Sequence, residues 1–316
     1  MINLRRSFII GIKGQHLSLK EAAFLKKYKP WGVILFSRNI KSISQTQKLT
    51  SEIKKILKDK YYPILIDQEG GKVSRLKRFI DTSQFSSEFF NKLYIKDKRK
   101  FYSYYKVYIN QISYLLNLLG ININTVPVLD VRRSKSDEII GSRAYSSNPT
   151  NVSKIGNYCI ENFHQNGIAT VIKHIPGHGL AKSDSHKKLP IIKQNIRQLN
   201  KIDFYPFKNQ DSYLAMTAHI LYKSIDNKYS ATHSPKIIKI IRNKIGYKNL
   251  IMTDDISMKA LKLGISKNTT QAFKAGCNLV LHCNGNYKEM LDVAENSPKV
   301  DEFIIKKTSQ LINIIR

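Results

Sequence analysis

Eight short, unbroken apolar runs recur along the chain, each followed by a longer segment with helical spacing. They are FIIGI (8–12), WGVILF (31–36), PILI (63–66), INTVPVL (123–129), TVIK (170–173), YLAMTA (213–218), LIMT (250–253) and LVLH (279–282). Runs of this kind suit strands buried on both faces, as in parallel sheets. The intervening segments, such as SISQTQKLTSEIKKILKDK (42–60), place apolar residues three and four apart behind a Ser/Thr-rich start. That is the pattern of a capped amphipathic helix. Eight strands alternating with helices predict an α/β fold, the (β/α)8 barrel, with room for extra helices in the longest gap, between the third and fourth runs. No linker, low-complexity stretch or composition break divides the 316 residues. Residues 1–316 are therefore expected to form a single barrel domain, large enough to hold its core without disulfides or a structural metal.

The polar residues that end these runs sharpen the prediction. Asp67 and Glu69 follow PILI, Asp130 follows TVPVL, and Lys173 and His174 end TVI. His219 follows LAMTA, and Asp254 and Asp255 follow LIMT. Barrel enzymes gather their chemistry at the carboxyl ends of the strands, so five of the eight runs would deliver ionisable groups to one mouth. Adjacent side chains of an extended strand point to opposite sides, so one of Asp254 and Asp255 is expected to face the site.

A formal net charge of +30 suggests a nucleic-acid binder. Lysine is spread along the whole chain beside many Asn, Ile and Tyr residues, however, a mixture that AT-rich coding produces without selecting a binding face. No specific nucleic-acid partner is expected, although a basic surface would steer anionic ligands. The three cysteines, Cys159, Cys277 and Cys283, lack CxxC spacing and fit a reducing compartment. Cys277 and Cys283, on either side of the eighth run, read as core filler. The amino-terminal MINLRRSFIIGIKGQ is too short in its apolar run for a signal sequence or a membrane span and reads as a first strand. A cytoplasmic monomer without membrane insertion is the expectation.

Three segments carry the most information: ILIDQEGGKVSRL (64–76), VIKHIPGHGLAKSDSHKKLP (171–190) and LIMTDDISM (250–258). Together they resemble glycoside hydrolase family 3, and within it the short bacterial β-N-acetylglucosaminidase branch of peptidoglycan recycling. KHIPGHG followed by DSH is the most specific element, TDDIS matches the nucleophile signature, and PVLDV (127–131), GSRAY (141–145) and MTAHILY (216–222) extend the likeness over nearly the whole chain. The resemblance implies a retaining exo-β-N-acetylhexosaminidase that releases terminal β-1,4-linked N-acetylglucosamine from muropeptides without cofactor or metal.

By this resemblance Asp254 is the nucleophile, His186 the general acid/base and Asp184 its partner. A carboxylate can add to an oxocarbenium-like carbon and leave again, and a histidine oriented by a nearby carboxylate titrates where proton transfer is needed. Asp67, Arg75, Arg143, Lys173 and His174 are the implied sugar and acetamido ligands. Glu69 is expected to brace its strand end. Gly70, Gly71, Gly177 and Gly179 would let loops turn, and Asp255 would order its loop. His219 stands open between a structural and a chemical role, whereas His16, His164, His233 and His282 read as structural or exposed. The loop GIKGQHLS (11–18) lacks the acidic residues the family leads one to expect, which leaves it without an evident sugar contact. Two other readings compete: a relative acting on another β-glycoside, and a metal-dependent hydrolase using His174, His178, Asp184, His186 and His219. Against the metal, His174 and His178 flank a Pro-Gly turn, and the helical HExxH spacing is absent.

Overall fold

The structure is a computed structural model that describes residues 2–133, 140–181, 183, 185 and 187–316. Among these residues eight parallel strands close a barrel: β1 (Arg6–Gly11), β2 (Pro30–Leu35), β3 (Ile64–Ile66), β4 (Ile123–Asn124), β5 (Ala169–Ile175), β6 (Leu214–Thr217), β7 (Leu250–Asp255) and β8 (Leu279–His282). Each strand pairs with its sequence neighbours, and β8 closes on β1 through Phe8–Val280, Ile9–Leu281 and Ile10–His282. All eight apolar runs thus lie on barrel strands. The fourth is only partly regular strand: Ile123–Asn124 form the ladder, Pro127, which has no N–H to donate, interrupts it, and Val128 makes one further parallel bridge to Lys173.

Helices follow in alternation: α1 (Leu19–Tyr28), α2 (Ile43–Ile56), α3 (Ser87–Lys96), α4 (Lys98–Leu118), α5 (Pro149–Gln165), α6 (Ile196–Lys201), α7 (Pro235–Ile240), α8 (Ile265–Ala275), α9 (Tyr287–Asn296) and α10 (Glu302–Ile315). The longest gap holds two of them, α3 and α4. Caps fix where they begin: the Ser42 hydroxyl accepts the Gln45 N–H at α2, Asp97 accepts Lys100 at α4 and Asn286 accepts Lys288 at α9. Among the described residues no helix is long and apolar enough to cross a membrane.

Two apolar layers result from period-two alternation. Ile9, Leu65, Ile123, Val171, Met216, Met252 and Leu281 pack with one another and with Ile304, Leu311 and Ile315 of α10. Phe8, Ile10, Ile64, Ile66, Ile172, Ala215, Ile251 and Val280 pack outward beneath the helices. Trp31 is fully buried in the inner layer, where its indole N–H donates to the Thr308 hydroxyl of α10 at 2.8 Å. Burial of each large side chain of this kind contributes roughly 1.5–3 kcal/mol, so the strands form a rigid platform for whatever stands at their ends.

Candidate active site

The same alternation carries the chemistry. Two residues beyond inner-layer Leu65, Val171, Met252 and Leu281 stand Asp67, Lys173, Asp254 and Cys283, and all four line an open cavity of about 140 Å³. Glu69, Arg75, Arg143, His174 and His178 complete much of its wall. Asp67, Arg75, Arg143, Lys173, His174 and Asp254 are thus brought together in one cavity. Asp184 and His186 lie outside the described residues. Cys283 refines an expectation: half-buried, it packs against the inner layer and also lines the cavity wall, whereas Cys277 is buried. The i, i+2 step from Leu279 and Leu281 is the register that brings it there.

Asp255 occupies the outward position. Its Oδ1 accepts the backbone N–H groups of Ser257 and Cys283 at 3.0 and 3.2 Å, and its Oδ2 accepts the Ser257 hydroxyl at 2.8 Å. That carboxylate orders the turn after β7. Asp254 faces the cavity, and its Oδ1 accepts the Asp255 N–H at 2.8 Å. Burial works against its charge, but the positive charge around it, Lys173 included, and the Asp255 amide hold its carboxyl below the usual range. At neutral pH it is therefore an unprotonated carboxylate at the base of a water-accessible cavity, the state a nucleophile requires.

Opposite lies a buried ion network. The Lys173 ammonium contacts Glu69 at 2.6 Å, Asp67 at 3.3 Å and the Thr125 hydroxyl at 2.9 Å. Arg143 forks onto both oxygens of Glu69, each at 2.8 Å, the bidentate geometry that gives the strongest of such bonds. Arg75 pairs with Asp67 at 3.1 Å, and Thr125 also bonds that carboxylate. Burial alone would raise both acids. The cations outweigh it, so Glu69 falls to about 2 and Asp67 lies well below the usual carboxylate range. Glu69 thus braces the strand end as expected, and its partners are two of the residues expected to touch sugar.

Arg75 is presented by a polar hook after β3. The Gln68 side-chain Oε1 accepts the N–H groups of Arg75 and Leu76 at 2.8 and 3.1 Å, and the Gln68 backbone is tied to the Asn124 side chain of β4 by a reciprocal pair of 3.0 Å bonds. His174 is held by Asp130, which follows the fourth run: Oδ2 meets Nδ1 at 2.7 Å, and Oδ1 accepts the backbone N–H groups of His174 and His178 at 3.3 and 2.6 Å. The fully buried Asp130 therefore fixes which His174 nitrogen carries its proton there and leaves Nε2 toward the cavity. Burial and the neighbouring His174 lower His178 to about 4, which keeps it neutral. Gly179 runs so close to the 131 carbonyl that a β-carbon would stand 1.9 Å from its oxygen, so the loop after β5 requires glycine there.

The other histidines are placed as expected for structural or exposed residues. His16 is exposed, His164 meets Thr170 at 3.0 Å, His233 meets the Asn268 carbonyl at 3.2 Å and His282 meets Glu289 at 2.8 Å. Among the described residues no group of three or more His, Cys, Asp or Glu side chains is arranged to hold a metal ion.

Comparison with known proteins places this cavity in a family. The model of the glycosyl hydrolase family 3 N terminal domain matches residues 9–313. The β-hexosaminidase of Idiomarina loihiensis is 30% identical over 284 residues, covering 87% of this chain and 83% of that protein. That of Nitrosomonas eutropha is 32% identical over 285 residues, covering 87% and 80%. Among solved structures, NagZ from Neisseria gonorrhoeae in complex with N-trifluoroacetyl-D-glucosamine superposes with a TM-score of 0.85 at 27% identity, covering 97% of this chain and 90% of that one. A glycoside hydrolase family 3 β-N-acetylglucosaminidase from Paenibacillus also gives 0.85, at 25% identity, covering 99% of this chain and 61% of that longer one. With the family model spanning the barrel from β1 to α10, the chain belongs to glycosyl hydrolase family 3 and is a glycoside hydrolase.

Proposed function

We propose that this chain is a retaining exo-β-N-acetylglucosaminidase that removes terminal non-reducing β-1,4-linked N-acetylglucosamine from peptidoglycan fragments. The observation that carries the reading is the unprotonated Asp254 at the end of β7, facing Asp67, Lys173 and His174 across one cavity. The names of its relatives and the sugar analogue bound by its gonococcal neighbour support the choice of N-acetylglucosamine.

In the first step an Asp254 oxygen attacks the anomeric carbon while the bond to the leaving oxygen breaks, and His186, oriented by Asp184, donates a proton to that oxygen. In the second step water attacks the same carbon and gives a proton to His186, and the ester to Asp254 breaks. Two inversions return the original configuration. The roles of Asp184 and His186 rest on the DSH motif. Asp67 would accept sugar hydroxyls, with Arg75, Arg143, Lys173 and His174 as donors to hydroxyls and the acetamido carbonyl. Residues 1–316 act as one catalytic domain, a cytoplasmic monomer, without cofactor.

The test is hydrolysis of a fluorogenic aryl β-N-acetylglucosaminide beside the matching β-glucoside, by wild type, Asp254→Ala and His186→Ala, with and without chelator. Cleavage of the first substrate alone, indifferent to chelator and at least ~10³-fold slower in Asp254→Ala, is expected. Loss of activity with chelator would favour the metal-dependent alternative, and equal cleavage of the glucoside would favour a different sugar. Release of the disaccharide's N-acetylglucosamine from a muropeptide then tests the aglycone.

A further inference from the structure

His219 is fully buried at the end of β6 and does not line the cavity, yet it touches the strand that carries Asp254. Its Nε2 lies 3.0 Å from the Asp255 carbonyl oxygen and its Nδ1 lies 2.7 Å from the Thr232 hydroxyl. A carbonyl oxygen only accepts, so Nε2 carries the proton. Burial disfavours the imidazolium, so Nδ1 is the acceptor and Thr232 donates to it. Of the other acceptors within reach of Thr232, the Ala218 carbonyl is farther away at 3.3 Å, and the Thr217 hydroxyl can itself donate, which the Nδ1 lone pair cannot. With its one proton so directed, Thr232 accepts from the Thr217 hydroxyl at 2.8 Å. The chain of donors runs one way, from Thr217 through Thr232 and His219 to the Asp255 carbonyl.

What that carbonyl belongs to gives the chain its use. The peptide joining Asp255 to Ile256 is held on both sides: its carbonyl by His219, and its N–H by the Leu281 carbonyl of β8 at 3.0 Å. The amide at the other end of Asp255 donates to Asp254 Oδ1 at 2.8 Å. We propose that His219, neutral and oriented by Thr232 and Thr217, is a positioning residue for the nucleophile: it fixes the backbone of Asp255 and through it the direction of the Asp254 carboxylate. This rests on the reading of Asp254 as nucleophile. His219 itself touches neither sugar nor leaving group.

The experiment compares kcat and KM on the aryl β-N-acetylglucosaminide for wild type, His219→Leu, His219→Gln, Thr232→Val and Asp254→Ala, each checked for folding by circular dichroism and thermal unfolding. Misplacement of a reacting group by about 1 Å costs ~10²-fold in rate, so His219→Leu should lower kcat by ~10²-fold and move KM by less than about threefold. His219→Gln, whose amide can still donate to the Asp255 carbonyl, should recover at least ~10-fold of that loss, and Thr232→Val should lie between. A folded His219→Leu within threefold of wild type, or a folded His219→Gln no better than His219→Leu, would overturn the proposal. If His219→Leu does not fold, a Thr232→Val variant with wild-type kcat overturns it and a kcat-selective loss supports it. An active Asp254→Ala would instead overturn the assignment of the nucleophile, so the two failures are distinguishable.

Discussion

Replacement of Lys173 by Met removes the cation between two buried carboxylates while keeping an unbranched side chain of similar length. Lys173 is nearly fully buried and contacts Glu69 at 2.6 Å and Asp67 at 3.3 Å. Removing one partner of a buried ion pair typically costs 3–5 kcal/mol. Here Glu69 keeps its bidentate Arg143, and Asp67 keeps Arg75 and Thr125, so the lower end, about 3 kcal/mol, is expected. An entropy of unfolding of about 2.1 cal/mol/K per residue over 316 residues makes about 0.7 kcal/mol/K, so the melting temperature at pH 7 should drop by about 4–5 °C. The pH dependence has a definite sign. Glu69 titrates near 4.5 when unfolded and at about 2 in the folded chain. Its charged form therefore contributes stability that is fully present above 4.5 and is lost as the pH falls through about 2. Without Lys173 that folded value rises, less stability is left to lose in acid, and the gap between variant and wild type should narrow from pH 5 toward pH 2. Thermal unfolding across this range, with Glu69→Gln and the double variant closing a cycle, measures it. A drop of less than 1 °C at pH 7, or a gap independent of pH, would refute the claim that Lys173 holds these carboxylates ionised.

Three further outcomes follow from particular contacts. Asp130→Asn keeps the shape but takes away the charge that orients His174, and it should lower kcat/KM on the aryl glycoside by ~10–10²-fold, as loss of an orienting carboxylate typically does. Asp255→Asn should destabilise by about 1–2 kcal/mol, because a carboxylate accepting three bonds becomes an amide that can satisfy fewer, yet it should retain far more activity than Asp254→Ala in the same assay. Gly179→Ala places a β-carbon 1.9 Å from the 131 carbonyl oxygen. The loop after β5 must then move, and kcat should fall with a smaller change in melting temperature than Lys173→Met gives.

The barrel and its working face were legible in the chain itself. Unbroken apolar runs belong to strands buried on both sides, and their number and spacing leave little besides a closed parallel barrel. The period-two step is equally local: Leu250, Met252 and Asp254 share one face, and Asp255 must take the other. The same step from Leu279 and Leu281 leads to Cys283, which packs on the inner layer as core filler would and also reaches the cavity wall. What local pattern does not contain is who meets whom across strands. That Lys173 stands between Glu69 and Asp67, that Asp130 grips His174 and two backbone amides, and that His219 faces a carbonyl and not the cavity all depend on barrel closure, which sets residues 36 to 106 positions apart within hydrogen-bonding distance. The ladder between β5 and β6 also shifts between Lys173 and Ile175, so that Lys173 and His174, adjacent in the chain, both reach the cavity where strict alternation would have sent one of them outward. Alternation is a property of a single strand and can be read from one, but partners, protonation and the direction of each polar group are settled only when eight strands share one interior.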